Sequence, residues 1–284
     1  MNNKICVITG CNTGIGKVTA IELAKVGYEI LMLVRDSDKS RTAYQAIKQE
    51  SKSDRVKLYY VDLSSIDSIK SVVWEIKNDC TKLDVLINNA AVYKRTEKIL
   101  PNGYEMTFGV NYIAPFLLSR MLLPLLRKAE KARIINLSSE MYKRGEVHLK
   151  NNFKENKFNG NKVYANSKLL ITYFTKELAK RLLSTDVTVN CVHPGVVGTD
   201  VFREFPKWFD SLLKIFIAKP DEGAKPTIYL ATSEEVNAVS GKYFYKTKQK
   251  ETDKVANDEK LSQLIWDKTE EMIISARQEN NIFP

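Results

Sequence analysis

Thr9-Gly10-Cys11-Asn12-Thr13-Gly14-Ile15-Gly16 is the stretch on which the reading of this chain turns. It follows a short apolar run, Ile5-Cys6-Val7-Ile8, and leads into Lys17 to Val26, where Val18, Ile21, Leu23 and Ala24 recur at helical spacing. A strand, a glycine-rich turn and a helix in that order build an anion cradle. Gly10 permits the tight turn, Gly14 lets backbone approach a pyrophosphate, and Gly16 lets helix and strand pack closely. The helix N-terminus then offers free N–H groups to the anion. The spacing predicts a dinucleotide site with Gly10, Asn12, Thr13, Gly14, Ile15 and Gly16 as candidates. An ordinary turn can carry the same glycines. Position after the first strand of an alternating chain is what gives the run its weight.

That alternation extends outward from the loop. Strands are expected at Ile30–Val34, Val56–Val61, Val85–Ile87, Arg133–Leu137 and Val187–Val192. Helical stretches lie between them, at Ser40–Ser51, Ile66–Ile76, Tyr104–Lys128 and Tyr164–Leu183, with a C-terminal helix within 257–279. Continuous apolar strands separated by helices imply an α/β fold, a parallel sheet covered on both faces. Right-handed crossovers make it a three-layer, doubly wound sheet. No linker or repeat divides the chain, so one domain over residues 1–284 is expected. Two segments interrupt the pattern. Glu146 to Lys162 is polar and reads as a surface excursion. Val201 to Ala218 is aromatic and apolar, within a lid-like segment at 199–219; lid, core and membrane contact are the three readings its residues allow.

Composition narrows the function classes. The 284 residues are 44% hydrophobic and 27% charged, which excludes a disordered chain and a membrane bundle. Lys and Arg number 44 against 34 Asp and Glu, a net charge of +10 that raises nucleic acid, an anionic surface or an anionic cofactor. No nucleic-acid motif accompanies it, so no nucleic-acid partner is expected. Two His and four scattered Cys (Cys6, Cys11, Cys80, Cys191) are too few for a structural metal site, and none is expected. Cys6 and Cys191 lie in strand-like runs and read as buried free thiols, which suits a reducing compartment. No secretory signal is recognisable at the N-terminus. The expected location is cytoplasmic, with peripheral membrane contact and homo-oligomerisation left open.

The end of the second strand bears on which dinucleotide is bound. NAD sites place a ribose-binding acid about 20 residues after the glycines. Here the strand ends Leu33-Val34-Arg35-Asp36. Val34 takes the expected acid position, and Arg35 offers a planar fork for a 2′-phosphate. NADP is the favoured cofactor, with Asp36 as a ribose acid if the register is two residues off. Lys17 is either a solvated helix residue or a help to the phosphate. Cys11 is either a small filler or a reactive thiol.

Separated motifs now converge: the glycine run, Asp62-Leu63, Asn88-Asn89-Ala90-Ala91, Ser138-Ser139, Tyr164-Ala165-Asn166-Ser167-Lys168 and His193-Pro194-Gly195. Together they resemble the short-chain dehydrogenase/reductase family over about residues 3 to 246. Closer features resemble its retinol dehydrogenase branch: Cys11 to Lys17, Val34-Arg35-Asp36, Gly109-Val110-Asn111, Ala179 to Leu182, His193 to Val197 and Ser240 to Phe244. Ala91 departs from the glycine usual after Asn-Asn-Ala.

The resemblance implies seven strands in the order 3-2-1-4-5-6-7 and an enzyme that interconverts a carbonyl and an alcohol on a lipophilic, retinoid-like small molecule. It implies Tyr164 as general acid/base, Ser139 as holder of the substrate oxygen, Lys168 as a cation that lowers the phenol pKa and binds ribose, and Asn111 as the support of a proton-relay water. Asp62, Leu63, Asn89, Ala90, Pro194, Gly195, Val197 and Thr199 would line the cofactor, and Ser138 is expected beside them. The chemistry is coherent in itself. A carbonyl receiving hydride needs a proton, a tuned tyrosine supplies it, and a serine hydroxyl stabilises the oxyanion. The alternative is a protein that binds NADPH without turnover.

Overall fold

In a computed structural model, residues 4–195 and 219–278 are described. One sheet organises them. Its strands are β1 (Ile5–Thr9), β2 (Glu29–Val34), β3 (Val56–Tyr60), β4 (Val85–Asn88), β5 (Arg133–Leu137), β6 (Thr188–His193), β7 (Tyr243–Tyr245) and β8 (Lys248–Lys250). Their order is β3-β2-β1-β4-β5-β6-β7-β8, parallel through β7, with β8 antiparallel to β7. The helices are α1 (Gly14–Lys25), α2 (Asp38–Ser51), α3 (Ile66–Asp79), α4 (Met106–Leu126), α5 (Gly160–Arg181), α6 (Pro220–Thr232) and α7 (Glu259–Gln278).

Strand alternation sorts side chains onto two faces. Val7, Leu31, Leu33, Leu86 and Ile134 pack under α3, α4, α5 and α7. Cys6, Ile8, Ile30, Met32, Ile87 and Ile135 pack under α1, α2 and α6. Both faces are covered, which is why the central strands are apolar throughout. The seven expected strands are present in the expected order, and β8 adds a short hairpin at the β7 edge. The Lys-rich tail after Lys242 looks like a solvated run, yet Tyr243 and Phe244 are buried. Lys248, Gln249 and Lys250 are exposed on the strand that closes the sheet edge, where lysines discourage pairing with another chain.

The polar excursion is also better packed than its composition suggests. Phe153 is buried, with its ring 5.6 Å from Phe108 and 6.2 Å from Tyr112. Asn166 of α5 accepts from the Glu146 N–H at 2.8 Å and donates to Glu155 at 2.5 Å, pinning the start and the middle of the excursion. His148 is half-buried, with its Nε2 enclosed 3.3 Å from Glu155. Helix α4 is long and apolar enough to cross a membrane by composition, but 78% of its most apolar window is buried inside the fold. It is a core helix, interrupted by a π-turn at Gly109–Ile113.

Candidate active site

The candidates from β1 to β6 gather at one edge because each follows a strand C-terminus. Gly10 follows β1, Arg35 follows β2, Asp62 stands just beyond β3, Asn89 follows β4, Ser139 stands just beyond β5 and Pro194 follows β6. Strand β1 has β2 on one side and β4 on the other, so Gly10 and Asn89 flank the point where strand order reverses. Open parallel sheets bind ligands at that crevice.

The phosphate loop is held from below. Gly10 has φ +64°, a conformation that favours glycine. A Cβ on Gly16 would lie 2.4 Å from Asn89 Nδ2 and 2.8 Å from the Gly10 carbonyl, so the helix can sit this close only without a side chain. Asn89 Nδ2 donates to the carbonyls of Thr9 (2.8 Å) and Gly10 (3.2 Å). Thr9 Oγ1 accepts from the N–H groups of Asn89 and Ala90, both at 3.0 Å. Thr9 is thus a site residue the sequence reading missed; its only signal was its place before Gly10.

Helix α1 starts at Thr13 with no side-chain cap and no acid in its first turn, whereas Ser37 caps α2 and Ser65 caps α3. Its first N–H groups are left for an anion, as a bound pyrophosphate requires. Asn12 Nδ2 donates to Ser40 Oγ at 3.0 Å, and Ser40 donates to the Arg35 carbonyl at 2.7 Å. The loop and the start of α2 are thereby joined. Lys17 is paired with Glu50 at 3.0 Å rather than held for phosphate. Cys11 is fully buried and its thiol is pushed up to about 12 by burial, so it is an inert filler.

Arg35 is exposed and makes no ion pair among the described residues, while Asp36 is engaged by Arg41. Asp62 is exposed, and its Oδ1 accepts from the N–H (2.9 Å) and hydroxyl (2.7 Å) of Ser64. Leu63 is partly buried against the core. Gly195 has φ +96°. Val197, Thr199 and the aromatic residues of the lid-like segment lie outside the described residues.

The candidate catalytic side chains converge at the start of α5. Asn159 caps the helix, its side chain accepting from the Lys162 N–H, and Tyr164 and Lys168 stand one turn apart on the same face. Both are buried, 6% and 3% exposed. Ser139, at the N-cap of the 3₁₀ turn Glu140–Arg144, accepts from the Met141 N–H at 3.3 Å and lies close enough to Tyr164 to act on its phenol. Burial raises the Tyr164 phenol, and the Ser139 hydroxyl opposes that shift. Burial lowers Lys168 to about 8, and its Nζ donates to the Leu137 carbonyl at 2.9 Å, 5.5 Å from the Tyr164 ring centre.

Asn111 sits in the π-turn of α4. Its Oδ1 accepts from the Val92 N–H at 2.8 Å, and its Nδ2 donates to the Val92 carbonyl at 2.9 Å and to Ser167 Oγ at 3.2 Å. Both Nδ2 protons are taken, so the side chain ties the Val92 loop to α5 beside the site. Ser138 also differs from expectation. It is buried, with Oγ 3.3 Å from the Lys168 carbonyl and 3.1 Å from Thr172 Oγ1, and serves helix packing instead of lining the cofactor crevice. Tyr93 is an unforeseen neighbour, with its ring edge-on to Tyr164 at 6.0 Å and its hydroxyl 3.1 Å from Asn161. No periodicity marks it.

Known proteins resemble this chain along most of its length. The short chain dehydrogenase profile matches residues 4–210. Human retinol dehydrogenase 13 is 39% identical over 272 residues, covering 93% of this chain and 82% of that protein. Human polyprenol dehydrogenase is 34% identical, with 95% and 85% covered. The active-site complex of Pseudomonas aeruginosa RhlG with NADP shares the fold, with a TM-score of 0.70 at 23% identity over 85% of this chain and 94% of that one. The chain therefore belongs to the short-chain dehydrogenase family, in its retinol dehydrogenase branch, and is an NAD(P)-dependent oxidoreductase acting on CH–OH groups.

Proposed function

We propose that this protein is an NADP-dependent oxidoreductase that interconverts a carbonyl and an alcohol on a lipophilic small molecule, with Tyr164 as the proton donor and acceptor. The observation that carries the reading is the meeting of Ser139, Tyr164 and Lys168 at one strand end, with the Lys168 ammonium 5.5 Å from the Tyr164 ring centre and Ser139 close enough to act on the phenol. Bound NADPH supplies the hydride. The chain's residues do the rest. Ser139 holds the substrate oxygen, Tyr164 passes its proton to that oxygen, and the Lys168 ammonium favours the phenolate left behind. Asn111 keeps the Val92 loop and α5 in register.

The uncapped α1 N-terminus, with Gly10, Gly14, Ile15 and Gly16, holds the pyrophosphate. Arg35 reads the 2′-phosphate, being the first residue past β2 and free of acidic partners among the described residues, while Asp36 is taken up by Arg41. Asp62 and Leu63 flank the adenine, Asn89 and Ala90 line the middle of the crevice, and Pro194 and Gly195 support the nicotinamide. Retinol and polyprenol, named for two relatives, are both lipophilic alcohols, which supports a substrate of that class. The protein works in the cytoplasm, where its four free thiols persist, and meets membrane-dissolved substrate from the surface.

The test is NADPH oxidation across aldehydes and ketones of graded chain length and ring size. Turnover is expected with long or cyclic apolar carbonyls and abolished in Tyr164→Phe, whose NADPH affinity stays within about twofold of wild type because only the proton donor is lost. NADPH binding with no turnover on any carbonyl would instead mark a regulatory protein.

A further inference from the structure

Four aromatic residues, Tyr104, Phe108, Tyr112 and Phe116, recur at every fourth position through the entry and first half of α4. Their rings follow one another edge-on or tilted, with centres 5.7, 5.5 and 6.3 Å apart. In a uniform α-helix a stripe of period four drifts around the axis. Here the wider π-turn at Gly109–Ile113 unwinds the helix near its start and keeps the stripe on one face.

The C-terminal helix α7 lies antiparallel along that stripe. Its residues engage it at every third position. Trp266 packs on Phe116 at 4.9 Å, Thr269 Oγ1 meets the Tyr112 hydroxyl at 2.7 Å, and the Met272 carbonyl accepts from the Tyr104 hydroxyl at 3.1 Å. The direction of the central bond follows from proton counting. Thr269 has one hydroxyl proton, and it goes to the Ile265 carbonyl at 2.7 Å. Tyr112 must then be the donor to Thr269. Both groups are fully buried, so no water can replace the acceptor.

Asn111 precedes Tyr112 in the same π-turn and is held from the opposite side. Its Nδ2 donates to Ser167 Oγ, which donates to the Tyr164 carbonyl at 2.7 Å. The π-turn is thus suspended between two hydrogen-bond chains, one ending on α7 and one ending on the backbone of Tyr164. We propose that α7 is a positioning element of the active site, holding through the Tyr112–Thr269 bond the π-turn that presents Asn111 to Val92 and to α5. This rests on the proposed reading of Asn111 as the residue that keeps the Val92 loop and α5 in register for proton transfer at Tyr164. Thr269 acts through Tyr112 and touches no reacting atom.

The experiment compares Thr269→Val, Thr269→Ser and Tyr112→Phe in the full chain, by amide hydrogen exchange and by steady-state kinetics with NADPH and a turned-over carbonyl. Thr269→Val keeps the shape but strands the Tyr112 donor; exchange at the Val92 amide and across 109–113 is expected to rise about tenfold, with kcat down about tenfold. KM for NADPH stays within about twofold, since the phosphate loop is untouched. Thr269→Ser restores both readouts. Tyr112→Phe removes the bond without stranding a donor, and serves if the valine variant does not fold; it too is expected to raise Val92 exchange. Faster exchange confined to 259–278, with Val92 unchanged, overturns the proposal, as does an unchanged kcat. If the wild-type chain reduces no carbonyl, the functional reading fails, while exchange at Val92 still decides whether α7 holds the turn.

Discussion

The Lys168 ammonium lies 5.5 Å from the centre of the Tyr164 ring, and neither group reaches bulk water. Burial acts on the two in opposite senses. It raises the phenol and lowers the ammonium to about 8, since each loses the hydration of its charged form. The pair is therefore poised. The phenol stays protonated, and the cation that makes it a better acid loses its proton near the upper end of the physiological range.

The sign of the pH dependence follows. As pH rises through about 8, Lys168 becomes neutral and Tyr164 becomes a weaker acid. Carbonyl reduction, followed as kcat/KM because that ratio reports the free enzyme, is expected to fall above that pH. Lys168→Met should be slow at every pH and lack the descending limb. A limb of equal midpoint in that variant would assign it to another group.

Cofactor choice turns on Arg35. Arg35→Ala is expected to weaken NADPH binding by about 1.5–3 kcal/mol, the range for a charge-assisted hydrogen bond, with NADH affinity nearly unchanged. Titration of each nucleotide by fluorescence measures both. Equal losses for the two would take the 2′-phosphate away from Arg35.

Gly16→Ala tests the loop's close packing. The added Cβ meets Asn89 Nδ2 at 2.4 Å, the Gly10 carbonyl at 2.8 Å and Cys11 Cα at 2.9 Å, two of them backbone atoms that cannot swing aside. The loop must shift. A stability loss of about 1–3 kcal/mol is expected by denaturant melting, together with loss of dinucleotide binding. An unaltered melt would mean that α1 can slide on β1 at no cost.

His193 sets an acid limit on the fold. Its ring packs on Tyr245 at 5.5 Å, its Nδ1 is buried without a hydrogen-bond partner among the described residues, and burial, with Lys168 and Lys143 adding to it against Glu140, lowers it to about 4. The unfolded chain takes up this proton near pH 6.5 and the folded chain only near 4. Stability is therefore complete above 6.5 and is lost as pH falls toward 4, by about 3 kcal/mol at one pKa unit per 1.36 kcal/mol. Urea melts between pH 7 and 4 should show His193→Asn losing that much less than wild type. Parallel pH curves for the two would sink the assignment.

What the sequence determined by itself is everything that depends on local order. The strand–glycine–helix start, the apolar strands alternating with helices, and the Tyr164/Lys168 spacing were legible because adjacent residues and fixed periods create them. So was the gathering of Gly10, Arg35, Asn89 and Ser139, since parallel strands bring their C-termini to one edge. The tertiary structure decided what depends on partners far along the chain. Lys17 could read as a phosphate ligand until Glu50, 33 residues later, took its charge. Ser138 and Ser139 are neighbours in sequence, but strand alternation turns one into the α5 packing and leaves the other beside Tyr164. Tyr243 and Phe244 look like part of a lysine-rich tail until β6 pairs with them and buries both. The π-turn that holds Asn111 has no local signature, because its stripe of four aromatics becomes one face only with α7 laid along it.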